Sequence, residues 1–373
     1  MFLRNSALLA CVALALAAQP DPRGSFKVNL PPDAPVSLQP PNWDQSSVTM
    51  RGGAMQVDLH STLYLRNTGG RRIRGISFLV LAQEVTPGGK ASVTVPSLDV
   101  DPGESFPVKI DLRLMRPPAA ASGALVEVLL DGVLFEDLTF FGPNRINSRR
   151  AMTAYELEAR RDRRFFLARL DAGGPTALQG EMIATLNRIA SQPRLEIQSA
   201  RAGRSSNSVG SEQQIEFSML ELPEAPVELL GGLGRVSGNE ARLPKLDLRN
   251  RSRRPVRSLE IGWLMKDTAG REYYAGDVPA DLALKPGERS EFVKDSTLRF
   301  ARPGGQPVPI ATMTAYVAGV EFADGDQWIP SHSALSTPRL SSVLPVSPEA
   351  QRLAELYSRK GLDAVTRQLQ RLR

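Results

Sequence analysis

A chain of 373 residues with an apolar share of 42% exceeds what one hydrophobic core usually organises, which predicts two or three domains. Its 30 Gly and 29 Pro favour many strands joined by tight turns over long helices. The net charge of +6 suggests nucleic acid as a partner, but the basic residues are scattered and accompany no zinc-finger, helix-turn-helix or aromatic RNA-binding signature. We therefore expect a mainly β protein without a nucleic-acid partner.

The N-terminus predicts export. Arg4 precedes an apolar run, residues 6–18, which has the length of a signal-peptide core and is too short to span a bilayer. Ala15-Leu16-Ala17 fits the small-x-small cleavage rule, so we assign residues 1–18 to a signal peptide. We expect a periplasmic, secreted or cell-surface protein with no transmembrane helix after signal removal.

Two alternatives remain open at this end of the chain. The apolar run could be a buried N-terminal helix. Leu8-Leu9-Ala10-Cys11 resembles a lipobox, which would make the protein an outer-membrane lipoprotein anchored through Cys11. If Cys11 instead leaves with the signal peptide, no disulfide, thiol nucleophile or cysteine-ligated metal is possible, because Cys11 is the one cysteine of the chain.

Residues 19–145 are predicted to form a first β unit. Alternating apolar positions after residue 75 place side chains on one face of a strand. Asn67-Thr68-Gly69-Gly70 and Asp101-Pro102-Gly103-Glu104 supply turn chemistry. The residues predicted to face the core are Ile76, Phe78, Val80 and Ala82.

Residues 146–198 are predicted to be helical. The stretch 148–170 is charged and helix-favouring, and 175–191 places an apolar stripe along one helical face. Gly173-Gly174-Pro175 predicts a helix stop and restart between them. Residues 199–214 lack apolar anchors and are assigned to a flexible linker.

Four arginines of this segment, Arg160, Arg161, Arg163 and Arg164, form a basic cluster beside Phe165-Phe166. One interpretation is contact with an anionic lipid or polymer surface. The other, which we favour, is a solvated helix face with intrahelical ion pairs. The acidic partners in that case would be Glu156, Glu158 and Asp162.

Residues 215–335 repeat the first unit. Leu63-Tyr64-Leu65-Arg66-Asn67 matches Leu246-Asp247-Leu248-Arg249-Asn250, and Asp101-Pro102-Gly103-Glu104 matches Lys285-Pro286-Gly287-Glu288 at nearly the same offset. Collinear matches with small offset changes indicate a duplication with loop insertions. We expect two duplicated immunoglobulin-like β-sandwiches, each followed by a short α-helical segment; one long barrel formed by both copies is the structural alternative. The second copy's predicted core face is Leu259, Ile261, Trp263 and Met265.

These turn motifs resemble those of CARDB and fibronectin-like adhesion and spacer domains of bacterial envelope proteins. The resemblance rests on Leu63 to Gly69 and Val100 to Ser105, and covers each β unit but not the helices. The second copy has Arg251-Ser252 in place of Thr-Gly, which weakens the match there. The resemblance implies a binding or spacing module without catalysis, and transfers no site residues.

The chain ends in a predicted helical tail, residues 336–373. Ser347 is a suitable N-cap and Pro348 suits the first helical position. The apolar stripe that follows is interrupted near Gly361. We favour an intramolecular core for this stripe over a partner-binding face.

Catalytic and metal-binding patterns are not found in the sequence. His60 and His332 have no neighbouring His or Cys at ligand spacing, so we predict neither metal nor cofactor. Gly231-Gly232-Leu233-Gly234 is interpreted as a turn, because no helix follows it. Two carboxylate pairs, Asp99 with Asp101 and Asp324 with Asp326, are the nearest candidates for hydrolysis.

Exposed aromatic rings could stack on sugar faces. Tyr273, Tyr274 and Trp328 are the candidates for contact with a glycan or a partner, with Trp43 in the first copy. The leading hypothesis is an exported, non-catalytic structural or adaptor protein of the cell envelope, whose partner is an envelope or extracellular protein or a second copy of the chain in a homo-oligomer. The alternatives are a secreted glycan-binding protein and a carboxylate-dependent hydrolase.

Overall fold

The computed structural model describes residues 25–82, 89–117, 124–201, 212–294 and 296–372. The predicted signal peptide and Cys11 lie outside these residues. The fold is mainly β, as predicted, with 45% strand and 24% helix. Among the described helices none is both long enough and apolar enough to cross a membrane.

The first β unit consists of two sheets that share one hydrophobic core. One sheet has the order β1-β8-β5-β6, with β9 beside β8; in the other, β2, β3 and β7 pair with the long strand β4. All four residues predicted to face the core from β5 are buried. The strands are β1 (Phe26–Asn29), β2 (Val36–Leu38), β3 (Ser47–Arg51), β4 (Ala54–Asn67), β5 (Ile73–Leu81), β6 (Lys90–Val95), β7 (Ser105–Arg116), β8 (Val126–Phe135) and β9 (Phe140–Phe141).

The second β unit has the same plan. Its sheets are β12-β19-β15-β16, with β20 beside β19, and β10-β18-β14-β13-β11, with β17 beside β14. They enclose a separate core that includes the predicted core strand residue Trp263. The strands are β10 (Glu196–Arg201), β11 (Gln213–Glu216), β12 (Ser218–Met219), β13 (Val227–Ser237), β14 (Glu240–Asn250), β15 (Val256–Asp267), β16 (Glu272–Ala280), β17 (Arg289–Val293), β18 (Ser296–Ala301), β19 (Ile310–Phe322) and β20 (Gln327–Trp328).

Two boundaries differ from the sequence-based assignment. Strands β10 and β11 occupy both ends of the stretch 199–214 that was predicted as a linker, and both belong to a sheet of the second unit. The predicted turn at Gly231 to Gly234 is wrong, because these residues lie inside β13. Two of these glycines are needed for close packing: a Cβ on Gly232 would lie 2.6 Å from the Leu246 side chain, and one on Gly234 would lie 2.5 Å from the ring of Phe217.

A buried asparagine organises the same turn in both units. The Asn67 amide donates to the carbonyl oxygens of Arg71 (2.9 Å) and Val100 (3.1 Å). Asn250 donates to those of Arg254 (2.9 Å) and Leu284 (3.1 Å). Both asparagines are fully buried. The repeated Leu-x-Leu-Arg-Asn motif therefore encodes a structural hydrogen bond that ties the end of one strand to the turn preceding another.

Helix α1 (Ser148–Ser191) connects the two units, and Gly174 within it has φ 66° and ψ −165°, so the helix is kinked at the predicted interruption. The C-terminal helices are α2 (His332–Leu335), α3 (Pro338–Val343), α4 (Pro348–Lys360) and α5 (Leu362–Arg371). Ser347 caps α4 by accepting the Ala350 amide at 3.1 Å, as predicted. Residues of α1, α4 and α5 form a third core, so the C-terminal apolar stripe is intramolecular.

Helix α1 is attached to the first unit and to α4 by a buried ionic cluster. The Arg163 guanidinium lies 2.7 Å from Glu156 Oε1 and 3.3 Å from Glu349 Oε1. Arg74 of β5 lies 3.9 Å from Glu156 and 2.8 Å from Asp99. Because all five side chains have at most 6% exposure, each charge depends on its partners.

We expect Asn67→Ala and Asn250→Ala each to lower the free energy of unfolding by about 2–3 kcal/mol, because each removes two buried side-chain hydrogen bonds to backbone carbonyls. Urea unfolding of the full chain measures the change. Asn187, exposed on α1, provides the control, and Asn187→Ala should change stability by less than about 0.5 kcal/mol. Equal effects at the buried and the exposed positions would contradict the structural role.

We expect Arg163→Ala to lower the free energy of unfolding by about 3 kcal/mol, because Glu156 and Glu349 would lose the buried cation that they share, although Arg160 still contacts Glu156 and Arg352 still contacts Glu349. The matched control is the neighbouring exposed residue, Arg164→Ala, which should fall within about 0.5 kcal/mol of the parent chain. Urea unfolding distinguishes the two. If Arg163→Ala lowers the free energy of unfolding no more than Arg164→Ala does, the ionic cluster does not hold α1 in place.

Candidate functional site

A cleft runs between α1 and the second β unit. Its larger part has a volume of about 430 Å³, and the adjoining part has about 210 Å³. Tyr155, Glu158, Asp277 and Ala318 line both parts, so the two form one continuous groove. We call it the acidic cleft.

Helical spacing explains which residues of α1 line the cleft. Tyr155 and Glu158 are three residues apart and therefore lie on the same helix face. Glu156, between them, lies on the face directed at the first unit, where Arg74 and Arg163 contact it. The ionic cluster on one face of α1 thus orients the cleft residues on the other.

A β-bulge in β16 brings two side chains onto the opposite wall of the cleft. In β16, Tyr274 pairs with Leu264 and Asp277 with Gly262, so three steps along β16 match two along β15. The extra residue lies next to Gly276, whose φ of 89° is readily available only to glycine. Tyr274 and Asp277, which regular alternation would place on opposite faces, therefore both line the cleft.

Tyr316 of β19 completes this wall. Its ring crosses Gly262 of the adjacent strand, where a Cβ would lie 2.2 Å from the ring carbon Cζ. The residue is 3% exposed and lines the cleft. Within the described part of the chain its hydroxyl has no hydrogen-bond partner. The hydroxyl is therefore free to bond to water or to a ligand in the cleft, as donor or acceptor.

The carboxylates of the cleft carry raised pKa values. Burial raises the pKa of Glu158 to about 7, against the opposing effect of Arg161 and with the support of Asp162 and Asp277. Burial likewise raises the pKa of Glu260 to about 7, against Arg150. The pKa of Asp277 is also raised by desolvation, although Tyr274 donates a hydrogen bond to it. The Asp277 side chain remains exposed to solvent.

The neighbouring cations already have other partners. Arg150 lies 2.9 Å from Glu260 and 3.0 Å from Asp281 and donates to the Leu259 carbonyl. Arg161 pairs with Asp162 at 2.9 Å and donates to the Pro330 carbonyl at 3.1 Å. In the part of the chain that the structure describes, neither Glu158 nor Asp277 has a cation within ion-pair distance. The cleft therefore contains two carboxylates that are not neutralised.

The three aromatic candidates occupy different environments. Tyr274 lines the larger part of the cleft and Trp328 the smaller part. Tyr273 is only 4% exposed, and its hydroxyl donates to Asp267 at 3.2 Å. Trp43, at 8% exposure, belongs to the first core. Tyr274 and Trp328 are thus the predicted aromatic residues that the fold brings together.

The arginine cluster is largely engaged within the protein. Arg163 is buried in the ionic cluster, and Arg160 binds Glu156 at 3.1 Å and the Glu136 carbonyl. Arg161 makes the contacts described above. Only Arg164 among the four is classed as exposed, and it donates to the Arg160 carbonyl. An anionic surface would meet Arg164 and part of Arg160.

The predicted carboxylate pairs are held by arginines. Asp324 and Asp326 both accept from Arg254, at 2.5 and 2.7 Å. Asp99 binds Arg74, and Asp101 binds Arg72 at 2.6 Å. These hydrogen bonds lower the pKa of Asp101 and Asp324, which favours the ionised form. Across the described ranges, no group of three or more His, Cys, Asp or Glu side chains is arranged to hold a metal ion.

His332 lies at one end of the cleft. Its ring stacks on Phe165 with centroids 3.7 Å apart, and Nδ1 lies 3.0 Å from the Ser336 hydroxyl. Burial lowers its pKa. His60, on the first unit, lies 3.0 Å from Asp111. The two histidines are therefore in unrelated surroundings.

Sequence reasoning did not identify Tyr155, Glu158, Asp277 or Tyr316 as site residues. Glu158 was interpreted as an ion-pair partner for the arginines. Helical spacing alone could have grouped Tyr155 with Glu158, but the bulge at Gly276 and the docking of α1 onto the second unit leave no comparable signal in the sequence.

We expect the Glu158→Gln variant to be more stable than the parent chain at pH 8 and nearly equal to it near pH 4. The native state holds more protons on Glu158 than the unfolded chain between pH 4.5 and about 7, so the free energy of unfolding falls as the pH rises through this window. Allowing for water in the cleft, the difference at pH 8 should be about 1 kcal/mol. Urea unfolding at both pH values tests this; a difference that does not change with pH would contradict it.

Comparison with known proteins gives no family for the chain. No family model matches it, and no curated protein matches it. A Northeast Structural Genomics Consortium target is 12% identical with a TM-score of 0.18, over 38% of this chain and 82% of that one. Red sea bream transglutaminase is 10% identical (TM-score 0.12), over 75% of this chain and 31% of that one. The β-glucosidase from Kluyveromyces marxianus, in complex with glucose, is 9% identical (TM-score 0.16), over 74% and 46%. The chain spans less than half of the last two, and at these TM-scores none of the likenesses carries an argument about fold or activity.

Proposed function

We propose that this chain is an exported, non-catalytic adaptor of the cell envelope that binds a protein partner in the acidic cleft. Its two β units are duplicated immunoglobulin-like sandwiches, each followed by a helical segment that fixes their relative position. The observation that carries the proposal is the pair of carboxylates without cations, Glu158 and Asp277, in an open cleft between α1 and the second unit.

Other surfaces support this choice by exclusion. The apolar stripe of α4 and α5 is buried against α1, with Leu353, Val365 and Leu369 fully buried. Three of the four clustered arginines are engaged by acids within the protein. In contrast, the acidic cleft combines accessible volume, aromatic walls and polar groups that lack partners, which are the properties of a binding site.

Duplication explains the fold that the two β units share, but it does not explain the cleft. The Asn67 and Asn250 turns keep both sandwiches alike. The residues that contact α1 differ: Arg74 is buried in the ionic cluster, whereas its counterpart Arg257 has 68% side-chain exposure. The second unit contacts α1 through Arg150, which is less buried than the ionic cluster on the first unit, and the cleft lies beside these contacts.

A secreted glycan-binding protein is the second candidate. Tyr274 and Trp328 line the same cleft, and carboxylates can accept hydrogen bonds from sugar hydroxyls. This candidate predicts retention of the protein on a glycan array or an envelope polysaccharide. Binding should be lost in Tyr274→Ala and Trp328→Ala.

We expect Ala318→Trp to abolish partner binding, because Ala318 lines both parts of the cleft and a bulky ring there would fill it. The test is affinity capture from the native envelope, using a C-terminally tagged chain with a photo-reactive residue in place of Tyr155. The parent chain should yield one cross-linked protein in stoichiometric amount.

The matched control is Met50→Trp, on the first unit, where the native side chain is 60% exposed. It adds the same ring far from the cleft and should leave capture unchanged. Recovery of the partner with Ala318→Trp would place the interaction elsewhere and contradict the proposal. Recovery of polysaccharide instead of protein would favour the glycan-binding candidate.

A further inference from the structure

The acidic cleft contains three acceptor groups that lack a cationic partner. Glu158 lies on α1, Asp277 on β16 and Tyr316 on β19, so three separate elements supply them. Arg150 and Arg161, the nearest cations, are directed at other acids. The Tyr316 hydroxyl is an independent observation at this site, since the residue is only 3% exposed, lines the cleft and has no hydrogen-bond partner within the described chain.

The walls suit an apolar stem that ends in a positive charge. Ala154, Ala318 and Gly319 contribute small side chains to the smaller part of the cleft, next to the Trp328 ring. The rings of Tyr155 and Tyr274 flank the carboxylates, and aromatic faces attract ammonium groups. A neutral ligand would leave two carboxylates without compensation, and an anion would be repelled by them.

We infer that the acidic cleft binds a primary alkylammonium group, with Glu158, Asp277 and the Tyr316 hydroxyl accepting its three N–H donors. An ammonium has three donors and no acceptor, which matches the three acceptors available. This inference rests on the proposed function and specifies what the partner presents: a lysine side chain. A free polyamine has the same chemistry and is the other possible source of the group.

The protonation state of the cleft should control this binding. The titratable and charged groups near Glu158 in the larger part of the cleft are Tyr155, Arg161 and Asp162 on α1, Tyr274 and Asp277 on β16, and Tyr316 on β19. Those of the smaller part are Arg150 on α1, Glu260 on β15 and Glu321 on β19. Arg188 and His332 line the same part of the cleft. Protonated carboxyls would offer no charge to the ligand, whereas the amine stays charged up to about pH 10. Affinity should therefore rise at least tenfold from pH 5.5 to pH 8.

Isothermal titration calorimetry on the full chain tests the inference with three probes: the peptide acetyl-Gly-Lys-Gly-amide, its norleucine analogue and spermidine. The lysine peptide should bind and the norleucine peptide should not. Tighter binding of spermidine than of the lysine peptide would identify a polyamine as the source and overturn the assignment to a lysine side chain. No binding of either amine at millimolar concentration would overturn the inference altogether.

Three variants locate the binding. Glu158→Gln and Asp277→Asn should each weaken the lysine peptide at least tenfold. Tyr316→Phe should weaken it about threefold to tenfold without loss of stability, because the hydroxyl it removes has no partner in the folded chain. The control, Glu355→Gln, removes one negative charge from α4 at a side chain with 67% exposure and should leave affinity unchanged. A loss of affinity in Glu355→Gln as large as those in Glu158→Gln and Asp277→Asn would reduce the effect to net charge and overturn the site.

The outcomes separate this inference from the proposed function. If Ala318→Trp loses the captured protein but the parent chain binds neither amine, the adaptor function stands and the lysine side chain is rejected as the group that the cleft binds. If the parent chain binds an amine but captures no protein from the envelope, the acidic cleft stands as an ammonium-binding site and the adaptor function is rejected.

Discussion

The position of α1 depends on one buried charge. Arg163 connects Glu156 of its own helix to Glu349 of α4, and Glu156 in turn contacts Arg74 of the first β unit. A helix can be rotated or translated along an apolar sheet at little cost, but a buried ion cluster permits only the arrangement in which every charge has a partner. The cleft on the opposite face of α1 follows from that arrangement.

The two β units show how a duplicated scaffold acquires different roles. The asparagine hydrogen bonds are the same in both, because a buried backbone turn needs the same donors wherever it occurs. The cation–π contact is repeated too: Arg71 lies 4.0 Å from the centre of the Phe135 ring and Arg254 lies 4.0 Å from that of Phe322. The residues that face α1 are not repeated, so the helix is attached by buried charges on one side and borders a cleft on the other.

Two carboxylates of the cleft differ from the aspartates of the predicted pairs because, in the part of the chain that the structure describes, they have no arginine partner. Asp99, Asp101, Asp324 and Asp326 each have an arginine within hydrogen-bond distance. Glu158 and Asp277 have none among the described residues, and desolvation raises the pKa of both. Unfavourable electrostatics of this kind lower the stability of a fold, and they are concentrated where a ligand can compensate them.

The sequence by itself determined the repeated β units, the kink in α1 and the N-terminal cap of α4. These features depend on local chemistry: alternation along a strand, the φ freedom of Gly174, and the Ser347 side chain beside a free amide. The tertiary structure alone decided the cleft, because it needs a bulge at Gly276, a ring packed over Gly262 and a helix fixed by charges 186 residues apart in Arg163 and Glu349. Long-range pairing of this kind has no periodicity, so single-sequence patterns could place neither Glu158 beside Asp277 nor Tyr316 between them and the core.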